Sequence, residues 1–243
     1  MRSIKVLATD STNQFLRELF REQPDLENCY VVTEEQTKGK GQMGAGWISE
    51  KGKNLTFSLL LNDLNLKIDE QFKLSAIVAT SMIEVLKKLQ IPKLKIKWPN
   101  DILAGNFKIC GILIENILIN GRVGNTIIGI GLNVNQLEFE NLPQATSLKK
   151  LTGVHFELDH LLKLLVNTIE KNIYSKKEWN MEAILNEYYS DFFRLNKASA
   201  FEFPNGERKT GIIKKVSKQG RLIILFEDQI EQEFDIKEIK LLY

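Results

Sequence analysis

Lys97-Trp98-Pro99-Asn100-Asp101 is followed, eleven residues after Lys97, by Lys108 at the head of Lys-Ile-Cys-Gly-Ile-Leu-Ile-Glu115. A cation, a large aromatic, a rigid imino acid, an amide and a carboxylate stand side by side. Few structural needs group those five types. Proline fixes its own φ and pushes Trp98 toward an extended backbone, so a strand is expected to stop here. The polar pair Asn100-Asp101 is then presented at a strand end, where ligand-binding groups are often found.

Outward from this stretch the chain alternates short apolar runs with helical patterns. Ile4 to Ala8 reads as a strand. Asp10-Ser11-Thr12-Asn13 offers N-caps to a helix carrying Phe15, Leu16, Leu19 and Phe20, which Pro24 stops. Cys29 to Thr33 and Asn54 to Leu61 read as strands, separated by a Gly/Lys loop from Gln36 to Gly52. Asp69 to Leu89 is the longest helical pattern, and Leu94 to Trp98 and Lys108 to Leu118 are strands. Asn120-Gly121 is a two-residue hairpin signal, returning as a strand from Val123 to Val134. His160 to Tyr174 and Met181 to Tyr189 read as helices. After Asp191 the chain becomes short β segments punctuated by Asn205-Gly206 and Gln219-Gly220. Five short strands in about fifty residues predict a small barrel of SH3-like size. The expected division is a catalytic domain over 1–190 and a C-terminal β domain over 191–243. Phe201, Phe203, Phe226, Phe234 and Tyr243 are expected to fill the small domain's core rather than form a stacking platform.

Composition narrows the function classes. The 243 residues are 43% hydrophobic and 26% charged, so a packed globular core is expected. Basic and acidic residues number 33 and 31, a balance that gives no charge-based case for nucleic-acid binding. The two cysteines, Cys29 and Cys110, sit in apolar runs and read as buried free thiols, which places the chain in a reducing cytoplasm. No signal peptide and no membrane span of about 20 apolar residues is expected. His155 and His160 have no acidic or cysteine partners at ligand spacing, so no metal is expected there.

Three further constellations could carry chemistry. Gln36-Thr-Lys-Gly-Lys40-Gly41-Gln42-Met43-Gly-Ala-Gly46-Trp47 matches G-x-G-x-x-G formally but leads to a strand rather than a helix, so a dinucleotide fold is not expected. Its glycines would let backbone N–H groups approach an anion, its lysines would supply charge, and Trp47 would close on something flat. Lys108 opens a buried strand, and Gly111 within that strand points to close approach of a ligand or another backbone. Gly129-Ile-Gly131-Leu-Asn133-Val-Asn135 has the same character.

In this order, these pieces resemble the biotin protein ligases, of the short type without an N-terminal DNA-binding domain. The motifs are Asp10-Ser-Thr-Asn13, Gln36 with the loop ending in Trp47, Asn54-Leu-x-x-Ser58, Lys97-Trp-Pro-Asn-Asp101, Lys108-x-x-Gly-Ile-Leu-x-Glu115 and Gly129-Ile-Gly-x-Asn-Val-Asn135. The resemblance implies an α+β fold: a mixed β-sheet flanked by helices, class II synthetase-like, with a small C-terminal SH3-like β-barrel that helps position ATP or the carrier. It implies ATP-driven formation of biotinyl-5′-AMP, then transfer of biotin to a lysine of a biotin carboxyl carrier domain. Ser11, Thr12, Asn13 and Gln36 would surround biotin's ureido ring. Lys40, Gly41, Gln42, Lys108 and Gly111 would complete the biotin site, with Lys108 and Lys40 as catalytic cations. Trp47, Lys97, Asn100, Asp101 and Asn133 would contact ATP or adenylate. Mg2+ would arrive with ATP, with Asp101 as the protein group able to touch it. The partners implied are biotin, ATP and the carrier; no DNA and no membrane is expected, and an exposed sheet edge would allow a homodimer.

Many members carry Gly-Arg-Gly-Arg-Arg-Gly-Arg before the tryptophan, where this chain has Gly39-Lys-Gly-Gln-Met-Gly-Ala45. Lys38 and Lys40 are expected to supply the missing charge. Two alternatives compete: a lipoate or octanoate ligase of the same fold, and a non-catalytic binding module.

Overall fold

Regular alternation of large apolar with small or polar residues gives a strand two unlike faces, and the sheet built from the first half of the chain has two. The computed structural model describes residues 1–176, 178 and 180–243. Strands β1 (Arg2–Thr9) and β2 (Cys29–Gln36) pair in parallel, joined by helix α1 (Thr12–Glu22). β3 (Leu55–Leu61), β4 (Leu66–Lys67), β5 (Leu94–Lys97), β6 (Asp101–Ala104), β7 (Phe107–Ile119) and β8 (Arg122–Leu132) complete the sheet through antiparallel pairings. The order is β1-β2-β3-β8-β7-β6-β5, with β4 attached to β8. It is a mixed sheet, as expected.

Helices α2 (Phe72–Lys88), α3 (Leu148–Thr152), α4 (Leu158–Lys176) and α5 (Met181–Ser190) follow. α2 packs against α4 and α5. Its apolar residues between Phe72 and Leu86 join Phe57, Leu59, Ile128, Ile130 and Ile112 in the large core. The opposite face carries a smaller cluster in which Leu16 of α1 meets Cys29, Val31, Leu60 and Ile127. β3 is buried along its whole length because both its faces are covered.

The C-terminal strands are β9 (Ala198–Glu202), β10 (Arg208–Val216), β11 (Leu222–Phe226), β12 (Glu231–Phe234) and β13 (Lys240–Leu242). They form an antiparallel sheet in the order β12-β11-β10-β9-β13. A bridge between Ile236 and Ile239 joins the residues after β12 to those before β13. Phe201, Phe226 and Phe234 are buried and meet edge to face, as aromatic quadrupoles prefer.

Four local differences from the sequence reading have simple causes. The chain does leave a strand at Trp98, but it turns and returns at once as β6, forming a short hairpin with β5; the Trp98–Pro99 peptide is cis. α4, at 19 residues, is longer than α2, at 17, because Ile68–Glu70 forms a separate 3-10 turn. α3 was hidden by its length, although Ser147 caps it through Lys150 N–H. β8 stops at Leu132, so Asn133 and Asn135 lie beyond the strand. Asn120 and Gly121 both have positive φ, as their hairpin turn requires. Among the described residues no helix is long and apolar enough to cross a membrane.

Candidate active site

One row of cross-strand partners defines the floor of the site. Thr33, Thr56, Gly131, Gly111, Asp101 and Lys97 are successive neighbours across β2, β3, β8, β7, β6 and β5. The next row passes through Ser58, Gly129 and Leu113. These residues alternate along their strands with Phe57, Ile130 and Ile112 of the large core. Small and polar residues therefore face away from α2, and they leave room above the sheet. A Cβ on Gly129 would stand 2.3 Å from Asn13 Oδ1, and one on Gly131 would stand 2.2 Å from Trp47 Cε2. The glycines of β8 give their space to Asn13 and Trp47, side chains from α1 and from the loop.

The N-terminus of α1 meets this floor with a closed polar network. Ser11 is the N-cap, and Ser11, Thr12 and Asn13 are all buried. Gln36 Oε1 accepts from Thr12 N–H at 2.8 Å and from its hydroxyl at 3.0 Å. Ser58 Oγ lies 2.7 Å from Thr12 Oγ1 and 2.6 Å from Asn13 Oδ1. A hydroxyl has one proton to give, and the Thr12 proton goes to Gln36, so Ser58 is the donor here, its proton placed between Thr12 Oγ1 and Asn13 Oδ1. Asn13 Nδ2 donates to Glu115 Oε2 at 2.8 Å and to the Leu113 carbonyl at 3.3 Å. Arg17 pairs with the other Glu115 oxygen. Each amide and hydroxyl is thereby held in one orientation, which suits recognition of a ligand with fixed donors and acceptors.

At the other end of the floor stand the charges. Asp101 Oδ1 lies 2.6 Å from Lys108 Nζ and its Oδ2 lies 3.6 Å from Lys97 Nζ. Burial pushes the Lys97 ammonium below its usual pKa; Asp101 pulls it back up, and Lys108 adds to the depression. The Tyr243 ring lies under the same amine, 5.2 Å from centroid to Nζ. Lys108 and Gly111 are three apart, which in a regular strand places them on opposite faces. Register shifts between Ile102 and Leu103 of β6, which pair with Cys110 and Lys108, leaving Ile109 as an extra residue. This β-bulge turns Lys108 onto the site face, where its amine sits 5.7 Å from the Trp47 ring centroid.

The Gly/Lys loop folds back on itself above the floor. Gly41 N–H donates to the Ala45 carbonyl at 2.6 Å and Trp47 N–H to the Gly39 carbonyl at 2.9 Å. The hairpin so formed turns through Gln42–Gly44. A cavity of about 270 Å³ lies beneath it, walled by Ser11, Thr12, Asn13, Gln36, Lys40 and Gln42 among others. A second cavity of about 430 Å³ is walled by Asn133, Phe139, Leu142 and Tyr243. The two share Gly46, Trp47, Asp101 and Lys108. Gln42 Oε1 and Trp47 Nε1 are buried without a protein partner, the condition that a bound ligand relieves.

Every residue expected at the site lines one of these two cavities. Lys40 lines the first, its amine 3.2 Å from Gln14 Oε1. Asn100 also has a structural task, since it exchanges hydrogen bonds with Ile112. Asn133 gives its amide to the Thr146 carbonyl. Lys38 does not line either cavity; it pairs with Asp10 at 2.9 Å. Thr56, Arg17 and Lys237 join or support the site without having been singled out for it, and Glu115, the last residue of the Lys108 motif, gains a role the motif alone did not give it. Thr56 and Ser58 were legible in the alternation Leu55-Thr-Phe-Ser-Leu59; Arg17 and Lys237 carried no signal.

The family model "Biotin/lipoate A/B protein ligase family" matches residues 6–133, just over half of the chain. The chain is 27% identical over 227 residues to the biotin–[acetyl-CoA-carboxylase] ligase of Mycobacterium tuberculosis, covering 92% of this chain and 83% of that protein. It is 37% identical over 152 residues to the bifunctional ligase/repressor BirA of Bacillus spizizenii, covering 60% of this chain and 46% of that protein. Among solved structures, the biotin protein ligase of Aquifex aeolicus in complex with biotin and ATP superposes with a TM-score of 0.80 at 28% identity, covering 99% of this chain and 98% of that one. The chain belongs to the biotin/lipoate A/B protein ligase family.

Proposed function

We propose that the chain is an ATP-dependent biotin–protein ligase that joins biotin to a lysine ε-amine of a biotin carboxyl carrier domain. The observation that carries this reading is the meeting of two cavities at Lys108 and Asp101, one walled by the α1 network and the other by Trp47 and Asn133. In the first step a carboxylate oxygen of biotin attacks the α-phosphorus of ATP. The P–O bond to pyrophosphate breaks, leaving biotinyl-5′-AMP. In the second step the neutral amine of the carrier lysine attacks the anhydride carbonyl. The C–O bond to AMP breaks and the amine loses a proton as the amide forms.

Ser11, Thr12, Asn13 and Gln36 hold the ureido ring in this proposal, with Ser58 and Glu115 fixing the Asn13 amide. Lys108 exchanges Asp101 for the oxygens shared by carboxylate and α-phosphate, where its charge opposes the charge that develops there. Lys40 serves the same oxygens from the loop side, with Gly41, Gln42 and Gly111 completing the wall. Trp47, Lys97, Asn100 and Asn133 serve the nucleotide. Mg2+ is usually held by one or two carboxylates together with substrate phosphates. Asp101 is the acidic side chain on both cavity walls, and no group of three metal-ligating side chains occurs among the described residues. That donor set fits an ion brought in by ATP and touched by Asp101, where it would neutralise phosphate charge.

The proposal assigns residues 1–190 to catalysis and 191–243 to an accessory β domain, in a cytoplasmic protein. It also admits side-by-side pairing of two copies at an exposed sheet edge, which sedimentation equilibrium would register as a doubled mass. The deciding assay is transfer of labelled biotin to a carrier domain with Mg-ATP, beside calorimetric titration of biotin and of lipoate. Lys108→Ala is expected to lower pyrophosphate release at least 100-fold, about 3 kcal/mol of transition-state stabilisation. A wild-type rate in that variant would remove Lys108 from the chemistry, and lipoate binding without biotin binding would move the chain to the lipoate branch.

A further inference from the structure

The turn after β12 carries a lysine where its backbone favours glycine. Glu238 N–H donates to the Asp235 carbonyl at 3.2 Å, closing a four-residue turn whose third residue, Lys237, has φ +71°. Turns with positive φ at that position are generally occupied by glycine or asparagine. The turn is held from several sides: Glu238 Oε2 accepts from Asp235 N–H at 2.6 Å and Asp235 Oδ1 from Ile236 N–H at 2.7 Å. Lys237 Nζ donates to the Met43 carbonyl at 2.6 Å, 194 residues away in the Gly/Lys loop. Met43 also has positive φ, +51°. Ile236 and Lys237 stand on the wall of the first cavity beside Gln42 and Met43.

We propose that Lys237 is a positioning residue that latches the Gly/Lys loop shut from the C-terminal sheet, so that this sheet sets how long an activated acyl-adenylate stays under the loop. Three features favour this role. The contact falls at the tip of the loop hairpin, where Gln42–Gly44 turns. The hairpin's own hydrogen bonds, Gly41 to Ala45 and Trp47 to Gly39, lie between that tip and the base of the loop. Lys38, which could have reached the loop from its own base, is committed to Asp10. The acyl-adenylate part rests on the ligase reading; the latch itself does not.

The experiment therefore has two arms. In ligand-free protein, amide hydrogen exchange of residues 39–47 is compared among wild type, Lys237→Gly, Lys237→Met and Lys237→Arg. Loss of a charged hydrogen bond at an exposed site is expected to speed loop exchange about fivefold in the Gly and Met variants. Lys237→Arg is expected to stay near wild type, and the strands between Ala198 and Phe234 are expected to be unchanged in all variants. Lys237→Gly is the sharpest variant because it eases the turn while removing the amine. Unchanged loop exchange in Lys237→Gly and Lys237→Met overturns the latch, as does loss of protection in the C-terminal sheet alongside the loop. In the second arm, release of preformed biotinyl-adenylate is expected to quicken about fivefold in the Met variant, with first-turnover pyrophosphate release little altered. A raised KM for ATP with unchanged adenylate release overturns the proposal in favour of a phosphate contact. If wild type forms no adenylate, the ligase reading falls while the exchange arm still decides the latch.

Discussion

At Gly131 the absence of a side chain is what gives Trp47 its place, because the indole occupies the volume where a Cβ would stand 2.2 Å from Cε2 and 2.6 Å from Nε1. Neither the ring nor a backbone-borne methyl can yield by that much, so Gly131→Ala is expected to lift Trp47 off the sheet. Acrylamide quenching of Trp47, isolated by comparison with the same change in a Trp47→Phe background, should rise. KM for ATP should increase roughly tenfold, about the effect of losing one aromatic packing contact. Unchanged quenching would mean the indole does not rest on Gly131. Gly111 and Gly131 were readable in the sequence as places where something needed room; the occupant was not. Whether a glycine's space goes to a ligand or to a neighbouring side chain depends on register, and here Gly111 and Gly131 face each other across β7 and β8. Cys110, the neighbour on the other face, is buried and its thiol pKa is pushed up by that burial, so it packs as the small hydrophobe its apolar run foretold.

Elements place these residues, and the loop between β2 and β3 is anchored at its base by a carboxylate. Asp10 accepts from the Thr37 hydroxyl at 2.5 Å and from Lys38 Nζ at 2.9 Å, while the Thr37 and Lys38 N–H groups donate to the Thr9 and Asp10 carbonyls. The Thr37 hydroxyl first, and Lys38 second, hold the Asp10 carboxyl below its usual 3.8. A carboxylate whose native pKa is depressed contributes stability above its unfolded pKa and loses it as pH falls through the native value. The advantage of wild type over Asp10→Asn in urea unfolding should accordingly be constant from about pH 7 to about pH 5, shrink from the usual carboxylate pKa downward and vanish below the lower native value. An advantage that grows toward acid would reverse the assignment. At this scale the sequence was informative about strands and capping, since Ser11 does cap α1 and Asn120-Gly121 does turn the β7–β8 hairpin. It was silent on the bulge at Ile109. Nothing in Lys-Ile-Cys-Gly announces an extra residue, because a bulge is set by how β6 and β7 register. Yet without it Lys108 would face the large core instead of Asp101.

At the scale of the whole molecule the two sheets are joined by bonds that leave little freedom between them. Trp98 Nε1–H donates to the Gly220 carbonyl at 2.8 Å, and Phe72 packs so closely on Gly220 that a Cβ there would stand 2.7 Å from its ring. Tyr189, at the end of α5, donates its hydroxyl to the Val216 carbonyl at 3.1 Å and accepts from Val216 N–H at 2.8 Å. Phe193 meets the Tyr243 ring edge to face at 5.2 Å, and Tyr243 in turn lies under Lys97. The segment Asp191–Lys197 that connects the sheets is itself bonded at both ends: Ile96 N–H to the Asp191 carbonyl, Phe193 N–H to the Ile96 carbonyl and Asn196 N–H to the Ile213 carbonyl. Composition shifts at Asp191, but composition cannot reveal a fused junction, because the partners of Trp98 and Tyr189 lie far along the chain. A linker so held should transmit unfolding from one sheet to the other. Tyr189→Phe keeps the ring and leaves both Val216 backbone groups unpaired, a change worth about 2 kcal/mol for groups that are partly buried. In urea the variant's midpoint should fall by that amount divided by the wild-type m-value, with the slope preserved and a single transition seen both in far-UV circular dichroism and in tryptophan emission. A second transition, with the C-terminal sheet melting first, would show instead that the sheets are separable bodies and that the Tyr189 contact merely decorates the boundary between them.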